Sequence, residues 1–428
     1  MGRNIGFTGP FSDANLGDYA MMVNTVYDWV TKEDRVTLFT YDHLFLEQIQ
    51  QDYLSDYDLT LCQVRVAPEQ GQMSKWQQIL RRIGGEANRK PAAIPIDLLN
   101  RLENSRELYL AIAPLDLLVV TGGGYFNHYW SSGDRKEDLW AILIPMLIAN
   151  QFGKKIIFAG NTFGPFDEST EFFFSFFQMF GNIQFAVRDT VYSRAHLLRL
   201  GIGPETIQYV PDDLLFLHPT LKGKRPRGTL PTEPYLVMEW YYPFSLLEEY
   251  KQELLQFQKE MKSRYGLSTV FLPFAPEEGG MDQGRCLQKF GLEMELYDWS
   301  TFGYLPVEDA VALLSHAQLV VCNRYHALVL AIGERVPVVQ VLKDVCSDKR
   351  YYYSKSYGVL KEVFRGNAFD EREYLKTSLP GALEEIVAHY PLIQQSQKRR
   401  YQEEYPENMK YLQSLRRNYY LRQLGERE

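Results

Sequence analysis

The residues of this chain best suited to chemistry lie in the run Asn323-Arg324-Tyr325-His326-Ala327-Leu328, followed by Gly333 and Pro337. The apolar stretch Leu319–Cys322 reads as a strand that delivers Arg324 to its end, and His326 opens the helix after it. A helix N-terminus offers unpaired N–H groups and the positive end of a dipole, so an anion is favoured there. A guanidinium two residues from an imidazole adds a permanent cation and a group that exchanges protons near neutral pH. The competing explanation for His326 is a structural histidine that caps or packs against the helix. His128, close to a run of glycines, is the next candidate of its kind.

Other strand-end motifs join this one. Asn15-Leu16-Gly17-Asp18 follows the first predicted strand, where Asp18 can cap a helix and still present a carboxylate, while Gly17 permits a close turn. Gly122, Gly123 and Gly124 follow the apolar run Leu115–Val120 and expose backbone N–H groups to a ligand; the alternative is a tight turn, which alone would seldom need three glycines. Asn161 and Gly164, within Gly160-Asn161-Thr162-Phe163-Gly164-Pro165, supply an amide and a flexible backbone. Arg188, in Val187-Arg188-Asp189, stands where a planar fork can meet a carboxylate or phosphate, or else simply pair with a neighbouring acid. Pro211-Asp212-Asp213 repeats the pattern with carboxylates.

These motifs need a scaffold that turns strand ends towards one place. Strand-like runs at Arg3–Thr8, Val36–Tyr41, Leu115–Thr121, Lys155–Gly160, Phe185–Val187 and Ile207–Val210 alternate with helical patterns, which predicts a parallel sheet covered on both faces. Four prolines in Leu217–Pro234 interrupt the rhythm, which then restarts at Tyr235. The fold expected is α/β: two Rossmann-like parallel-sheet domains facing a cleft, in the GT-B manner, with a C-terminal helical tail. The boundaries are 1–216 with an insert at 71–107, a linker at 217–234, a second domain at 235–388 and a charged, aromatic tail at 389–428. In such folds ligands sit at the C-terminal ends of the strands. Insert and tail, rich in basic and aromatic residues, read either as solvated helical faces or as a surface for an anionic lipid-linked acceptor.

Composition narrows the classes. The 428 residues carry 46 Lys and Arg against 54 Asp and Glu, a net charge of −8, so no strong positive footprint for nucleic acid exists and any anion site must be local. Cys62, Cys286, Cys322 and Cys346 are widely spaced and signal neither a zinc module nor a disulfide framework, which fits a reducing cytoplasm. The carboxylates are spread over separate motifs without ligand spacing, so no metal is expected. The longest apolar run, Trp140–Ala149, is about half the ~20 residues that span a bilayer.

In order and spacing, N-x-G-D, G-G-G, G-x-x-x-G-P, V-R-D, P-D-D and R-Y-H-A followed by G-x-x-x-P resemble the polysaccharide pyruvyl transferase family from about Asn15 to Val341. The resemblance implies transfer of a pyruvyl group from phosphoenolpyruvate to a saccharide, commonly as a cyclic ketal, with no separate cofactor. It places Arg188, Arg324 and His326 around phosphoenolpyruvate, with His326 as the acid–base candidate. Asn15, Gly17, Asp18, Gly122, Gly123, Gly124, Asn161, Gly164, Asp212 and Tyr325 are the substrate-binding candidates. Beyond Val341, Lys343 and Lys349 are both candidates for the site lysine. The saccharide acceptor includes a lipid-linked one among its forms, which extends the expected cytoplasmic location to the inner face of a membrane, with peripheral association. A nucleotide-sugar glycosyltransferase of GT-B plan, with Glu334 on the ribose, is the alternative; a non-catalytic scaffold of a glycan-synthesis assembly is the third reading.

Overall fold

The computed structural model describes residues 2–12, 15–67, 95–132, 134–181, 183–275, 280–345, 348–365 and 369–424. The first half supplies β1 (Asn4–Thr8), β2 (Arg35–Thr40), β3 (Asp58–Gln63), β4 (Leu117–Val120), β5 (Gly123–Phe126), β6 (Lys155–Phe158), β7 (Asn161–Phe163), β8 (Phe185–Val187) and β9 (Ile207–Tyr209). A parallel sheet in the order β3-β2-β1-β4-β6 forms its core, with Ile5 opposite Val36 on one side and Leu117 on the other. Helices cover both faces, which is why these strands are continuous apolar runs. One of those helices, Lys136–Gln151, is buried along its length from Leu139 to Ala149; the longest apolar run of the sequence is therefore a core helix. Among the described residues no helix is long and apolar enough to cross a membrane.

After β4 and β6 the chain leaves this sheet and resumes as a second parallel sheet, β5-β7-β8-β9. The strand expected to end at the triple glycine thus continues beyond it. The Asn161 amide spans the two breaks, donating to Thr121 O and Ala159 O at 3.0 Å each.

The second half contributes β10 (Tyr235–Glu239), β11 (Ser268–Phe271), β12 (Met294–Leu296), β13 (Leu319–Cys322), β14 (Val338–Val341) and β15 (Leu375–Lys376), all parallel, in the order β12-β11-β10-β13-β14-β15. That is the doubly wound order, and its crevice opens between β10 and β13, where chain direction across the sheet reverses. In the first sheet the corresponding point lies between β1 and β4. The motifs after β1, β4, β10 and β13 therefore stand at the two crevices.

Several details differ from the sequence reading. The first helix is Leu16–Trp29, capped by Asn15, whose Oδ1 accepts from Gly17 N at 3.3 Å, so Asp18 lies within the first turn and is not the cap. The single helix expected over Ser245–Arg264 is two, Phe244–Glu249 and Lys251–Tyr265. Residues 71–94 of the predicted insert lie outside the described residues; the remainder forms the 3-10 helix Pro95–Arg101 and the start of a helix at Ser105.

The tail is the largest correction. Helix Leu379–Glu403 runs without interruption through the boundary placed at 388, and helix Tyr405–Leu424 crosses back to the first unit. Tyr401, Tyr405, Tyr419 and Tyr420 are buried, not offered to solvent or to a membrane. Tyr419 donates to Phe158 O at 2.6 Å, and Tyr420 stacks on Trp29 with centroids 4.6 Å apart. Between them Arg416 reaches Asp213 through Nε at 2.6 Å and Asp28 at 2.7 Å, all three side chains largely dry. A buried ion pair is costly to break from one side only, because the remaining charge stays desolvated. Arg416→Leu should therefore destabilise the protein by about 3–5 kcal/mol, measured as a fall in denaturation midpoint, whereas Arg417→Leu on the same helix should shift it by less than about 0.5 kcal/mol.

Candidate active site

Arg188 follows β8 directly and is 2% exposed. Its Nε donates to Thr162 Oγ1 and its Nη1 to Asp212 Oδ2, each at 2.7 Å, and its guanidinium lies 4.3 Å from the centroid of the Tyr325 ring. Tyr325 in turn donates to the same Asp212 oxygen at 3.1 Å. An arginine of the first unit and the R-Y-H segment of the second are thus joined through one carboxylate and one aromatic face. Asp212 also caps the turn Asp213–Leu215 through Leu214 N, at 2.9 Å, which fixes its direction.

His326 completes the contact from the other side. Its Nδ1 lies 3.0 Å from Asn15 Nδ2. Nδ1 also lies 3.3 Å from Asn15 Oδ1, so the Asn15 amide meets the ring in either tautomer, donating from Nδ2 or accepting at Oδ1. Nε2 is buried and has no hydrogen-bond partner. The close approach depends on Gly17: a Cβ there would fall 2.0 Å from ring atoms of His326. Burial, then the charges of Arg188, Lys355 and Arg324, push the imidazole well below its usual value, so His326 is neutral in the free protein.

Arg324 stands immediately before the helix Tyr325–Gly333 and pairs with Glu239 at the end of β10, Nε to Oε1 at 3.2 Å, while its backbone N–H donates to Oε2 at 3.1 Å. Burial raises Glu239 to about 7 despite Arg324 and Lys343 beside it. Lys343 lies over the Tyr241 ring at 3.6 Å, and the Arg324 guanidinium is 5.0 Å from the same centroid.

The residue that the sequence reading missed is Lys355. It sits in the middle of helix Arg350–Val363, 6% exposed, with its ammonium 3.6 Å from the Tyr351 centroid and 4.7 Å from that of Tyr352. Burial first, then Arg188, holds it well below the ordinary lysine value, opposed by Asp18. A cation in the interior of a helix, away from every strand end, carries no motif; the only signal was a lone lysine in the tyrosine-rich run Tyr351-Tyr352-Tyr353-Ser354-Lys355. Of the two lysines expected after Val341, Lys343 borders the cluster, and Lys349 turns to Thr377 O instead.

Asp18 belongs to the cluster as well. Burial raises it to about 6, while Arg135, Lys355 and Arg188 pull it down. The glycines divide. Only Gly124 touches the charged group, where a Cβ would come 3.3 Å from Lys355 Cδ and 3.4 Å from Arg188 Nη2; Tyr351 donates to its carbonyl at 2.8 Å. Gly122 instead faces Met21 and Gly160, and Gly123 packs on Tyr125. Asn161 is a tie between strand breaks, although its Oδ1 is buried without a partner. Gly164, with φ of +82°, lies against the His196 ring. His128 packs edge-on to Tyr129 at the start of helix His128–Ser132.

Two parallel-sheet units meeting at their crevices, closed by a C-terminal helix that returns to the first, define a GT-B-type fold. Solved structures agree: a Listeria monocytogenes protein assigned as a UDP-N-acetylglucosamine 2-epimerase (TM-score 0.54, 14% identity, 100% of this chain and 99% of that one), S. aureus MnaA with UDP (0.53, 12%, 93% and 91%) and Anabaena HepE with UDP and glucose (0.52, 10%, 98% and 98%). Residues 16–342 match the polysaccharide pyruvyl transferase family, and the chain belongs to it. No curated protein matches it in sequence.

An acid whose folded value lies above its unfolded one loses stability as it ionises, from about pH 4 upwards, with the full cost present above its folded value. For Asp18 the gap between 3.8 and about 6 corresponds to ~3 kcal/mol. Asp18→Asn should accordingly stabilise the fold by about 1–3 kcal/mol in urea at pH 8 and by almost nothing at pH 4.

Proposed function

We propose that the protein transfers the pyruvyl group of phosphoenolpyruvate to two hydroxyls of a saccharide in the synthesis of an exopolysaccharide or cell-envelope glycan. The observation that carries this reading is the gathering of Arg188, Arg324 and Lys355 around a neutral histidine whose Nε2 is buried and unpartnered. Arg188 and Arg324 have carboxylate partners, but no carboxylate bonds to Lys355 among the described residues. A small ligand with a carboxylate and a phosphate supplies what this group lacks.

In the reaction, the donor methylene gains a proton and becomes a methyl group, and a sugar oxygen bonds to the adjacent carbon as its own proton leaves. The bond from that carbon to the phosphate oxygen then breaks with its electron pair on phosphate, and the second hydroxyl closes the ketal, its proton leaving with the phosphate. Arg188, Arg324 and Lys355 neutralise the leaving group. The donor's charge raises the proton affinity of Lys355 and His326, so binding itself arms the acid, for which His326 Nε2–H is the candidate. With Asp18 and His326 each 7% exposed, the two units must part to admit substrate.

The nucleotide-sugar alternative loses its proposed ribose ligand. Glu334 stands at the far end of helix Tyr325–Gly333 from His326 and pairs with Lys222. The scaffold reading called for Arg324 and His326 to be buried or apart from Arg188; both are buried, which meets the first condition, while His326 lies within reach of the Arg188 charge.

Thermal stabilisation by phosphoenolpyruvate but not by UDP-sugars is the expected result, and the reverse would establish the alternative. Arg188→Lys should weaken phosphoenolpyruvate binding at least tenfold, since the charge stays while the fork on Thr162 and Asp212 is lost. Calorimetry at pH 8 in buffers of different ionisation enthalpy should show proton uptake on binding, with affinity falling as pH rises, and Lys355→Met should reduce that uptake. A heat independent of buffer would contradict the charge-driven arming of the site.

A further inference from the structure

At the C-terminal ends of β10, β14 and β15 the second unit holds a cavity of about 380 Å³, at the lower end of the size of small-molecule sites. Tyr241 and Tyr242 enter its wall just after β10, Lys343 after β14, and the hydroxyls of Thr377 and Ser378 after β15. Tyr250 closes one side, one helical turn beyond Leu246, to whose carbonyl its backbone N–H donates at 3.1 Å.

Tyr241 is common to this cavity and to the cationic group. The Arg324 guanidinium lies 5.0 Å from its ring centroid and the Lys343 ammonium 3.6 Å from it. Its main chain is tied to the residue before Arg324: Asn323 Oδ1 accepts from Tyr241 N at 3.1 Å, and Asn323 Nδ2 donates to Tyr241 O at 2.9 Å. Lys343 also comes within 5.7 Å of the Tyr352 centroid, the same ring that the Lys355 ammonium meets at 4.7 Å. A molecule in the cavity would therefore lie against a wall shared with Arg324.

Tyr242 points to a ligand. The residue is 6% exposed, and its hydroxyl is buried without a hydrogen bond. Gln283 holds its main chain twice, accepting from Tyr242 N at 2.9 Å and donating to Tyr242 O at 2.8 Å, while Trp240 meets its ring edge-on at 6.2 Å. Asn323, beside the hydroxyl, spends its amide on Tyr241. The ring is thus fixed by the fold and its O–H left spare on the wall of a cavity, where buried hydroxyls ordinarily have partners.

We infer that this cavity receives a pyranose ring of the saccharide acceptor, stacked on Tyr250, bonded to the Tyr242 hydroxyl and set beside Arg324. This rests on the pyruvyl transfer reading above. A sugar ring presents an apolar C–H face together with hydroxyls at several angles; Tyr250 with Leu246 answers the first, and Tyr242, Thr377 and Ser378 answer the second. Tyr241 is engaged by two cations, which leaves the Tyr250 ring as the platform. The two ammonium groups of the wall are not arranged as an anion clamp: Lys349 donates to Thr377 O, Lys343 rests on Tyr241, and Asp344 offsets one charge.

Saturation-transfer NMR on the full chain, with methyl pyranosides of glucose, galactose, mannose, N-acetylglucosamine and N-acetylmannosamine as probes, tests this directly. At least one probe should show transfer, reduced about fivefold or more in Tyr250→Ala and in Tyr242→Phe. Transfer should be unchanged in Tyr41→Phe, which removes a buried, unbonded hydroxyl from the first unit. Because Tyr242→Phe deletes only a spare hydroxyl, its denaturation midpoint should equal or exceed that of the wild type, so that its lost signal is lost binding. A lowered midpoint would show the hydroxyl to be bonded within the fold and overturns the assignment. So does absence of transfer from every probe to the wild-type chain, full transfer in either Tyr250→Ala or Tyr242→Phe, or loss in Tyr41→Phe. Displacement of the probe by inorganic phosphate at equal concentration overturns it too, making the cavity an anion site. Stabilisation by phosphoenolpyruvate, measured on the same proteins, should persist in Tyr250→Ala and Tyr242→Phe. Its absence from wild type would sink the donor reading, while the sugar signal would still decide the cavity.

Discussion

Three cations brought out of water beside one another are the constraint on which this structure turns. Like charges in a low-dielectric interior repel strongly and each pays for desolvation, so their assembly has to be imposed by the rest of the fold. Two of them are held by a carboxylate apiece, Arg188 by Asp212 and Arg324 by Glu239. The third, Lys355, is met by aromatic faces and by the nearby Asp18, and the tool of adjustment is the proton: Lys355 and His326 are both driven towards their neutral forms. The free protein thus stores part of its charge deficit as protons not bound. On the pyruvyl transfer reading, an arriving anion draws those protons back, which couples occupancy to acid strength.

Much of the remaining architecture holds the two units close enough for this to happen. Leu16 N donates to Phe274 O at 3.0 Å across the units, and Tyr53 donates to Glu308 at 2.7 Å. Gly17 and Gly358 allow the closest passages: a Cβ on Gly358 would meet the Cβ of Asp189 at 2.4 Å. Arg416 of the returning helix grips Asp213, the neighbour of Asp212. The Asp212-Asp213 pair is consequently divided by role, with one carboxylate facing the site cation and the next anchoring the C-terminal helix that spans both units.

The two-sheet plan was legible because buried parallel strands announce themselves as short apolar runs with motifs at their ends, and both crevices fall where those motifs stood. Asn15, Gly17, Asp18, Gly124, Arg188, Asp212, Arg324, Tyr325 and His326 meet in space as strand-end residues of facing sheets should. What escaped was decided by tertiary contact. Lys355 lies mid-helix and acquires its setting only because that helix packs against the first unit. Gly122, Gly123 and Asn161 looked like a ligand-facing loop, whereas their sequence equally suits a break between two sheets. The tail's aromatic and basic residues read as surface because nothing in one helix reveals that another unit will cover it; Tyr419 and Tyr420 are buried by strands more than 200 residues away in sequence.

Burial of the reactive group has a chemical consequence on the pyruvyl transfer reading. Protonating the methylene of an enol phosphate creates a centre that water attacks as readily as a sugar hydroxyl, and capture by water would simply release pyruvate and phosphate. On that reading the burial of Arg188, Lys355 and His326 keeps water from the donor, and a sugar hydroxyl held by the units is the nucleophile left within reach. The order of events then follows from the charges: the anion must bind first to arm the acid, and closure of the units must precede proton transfer.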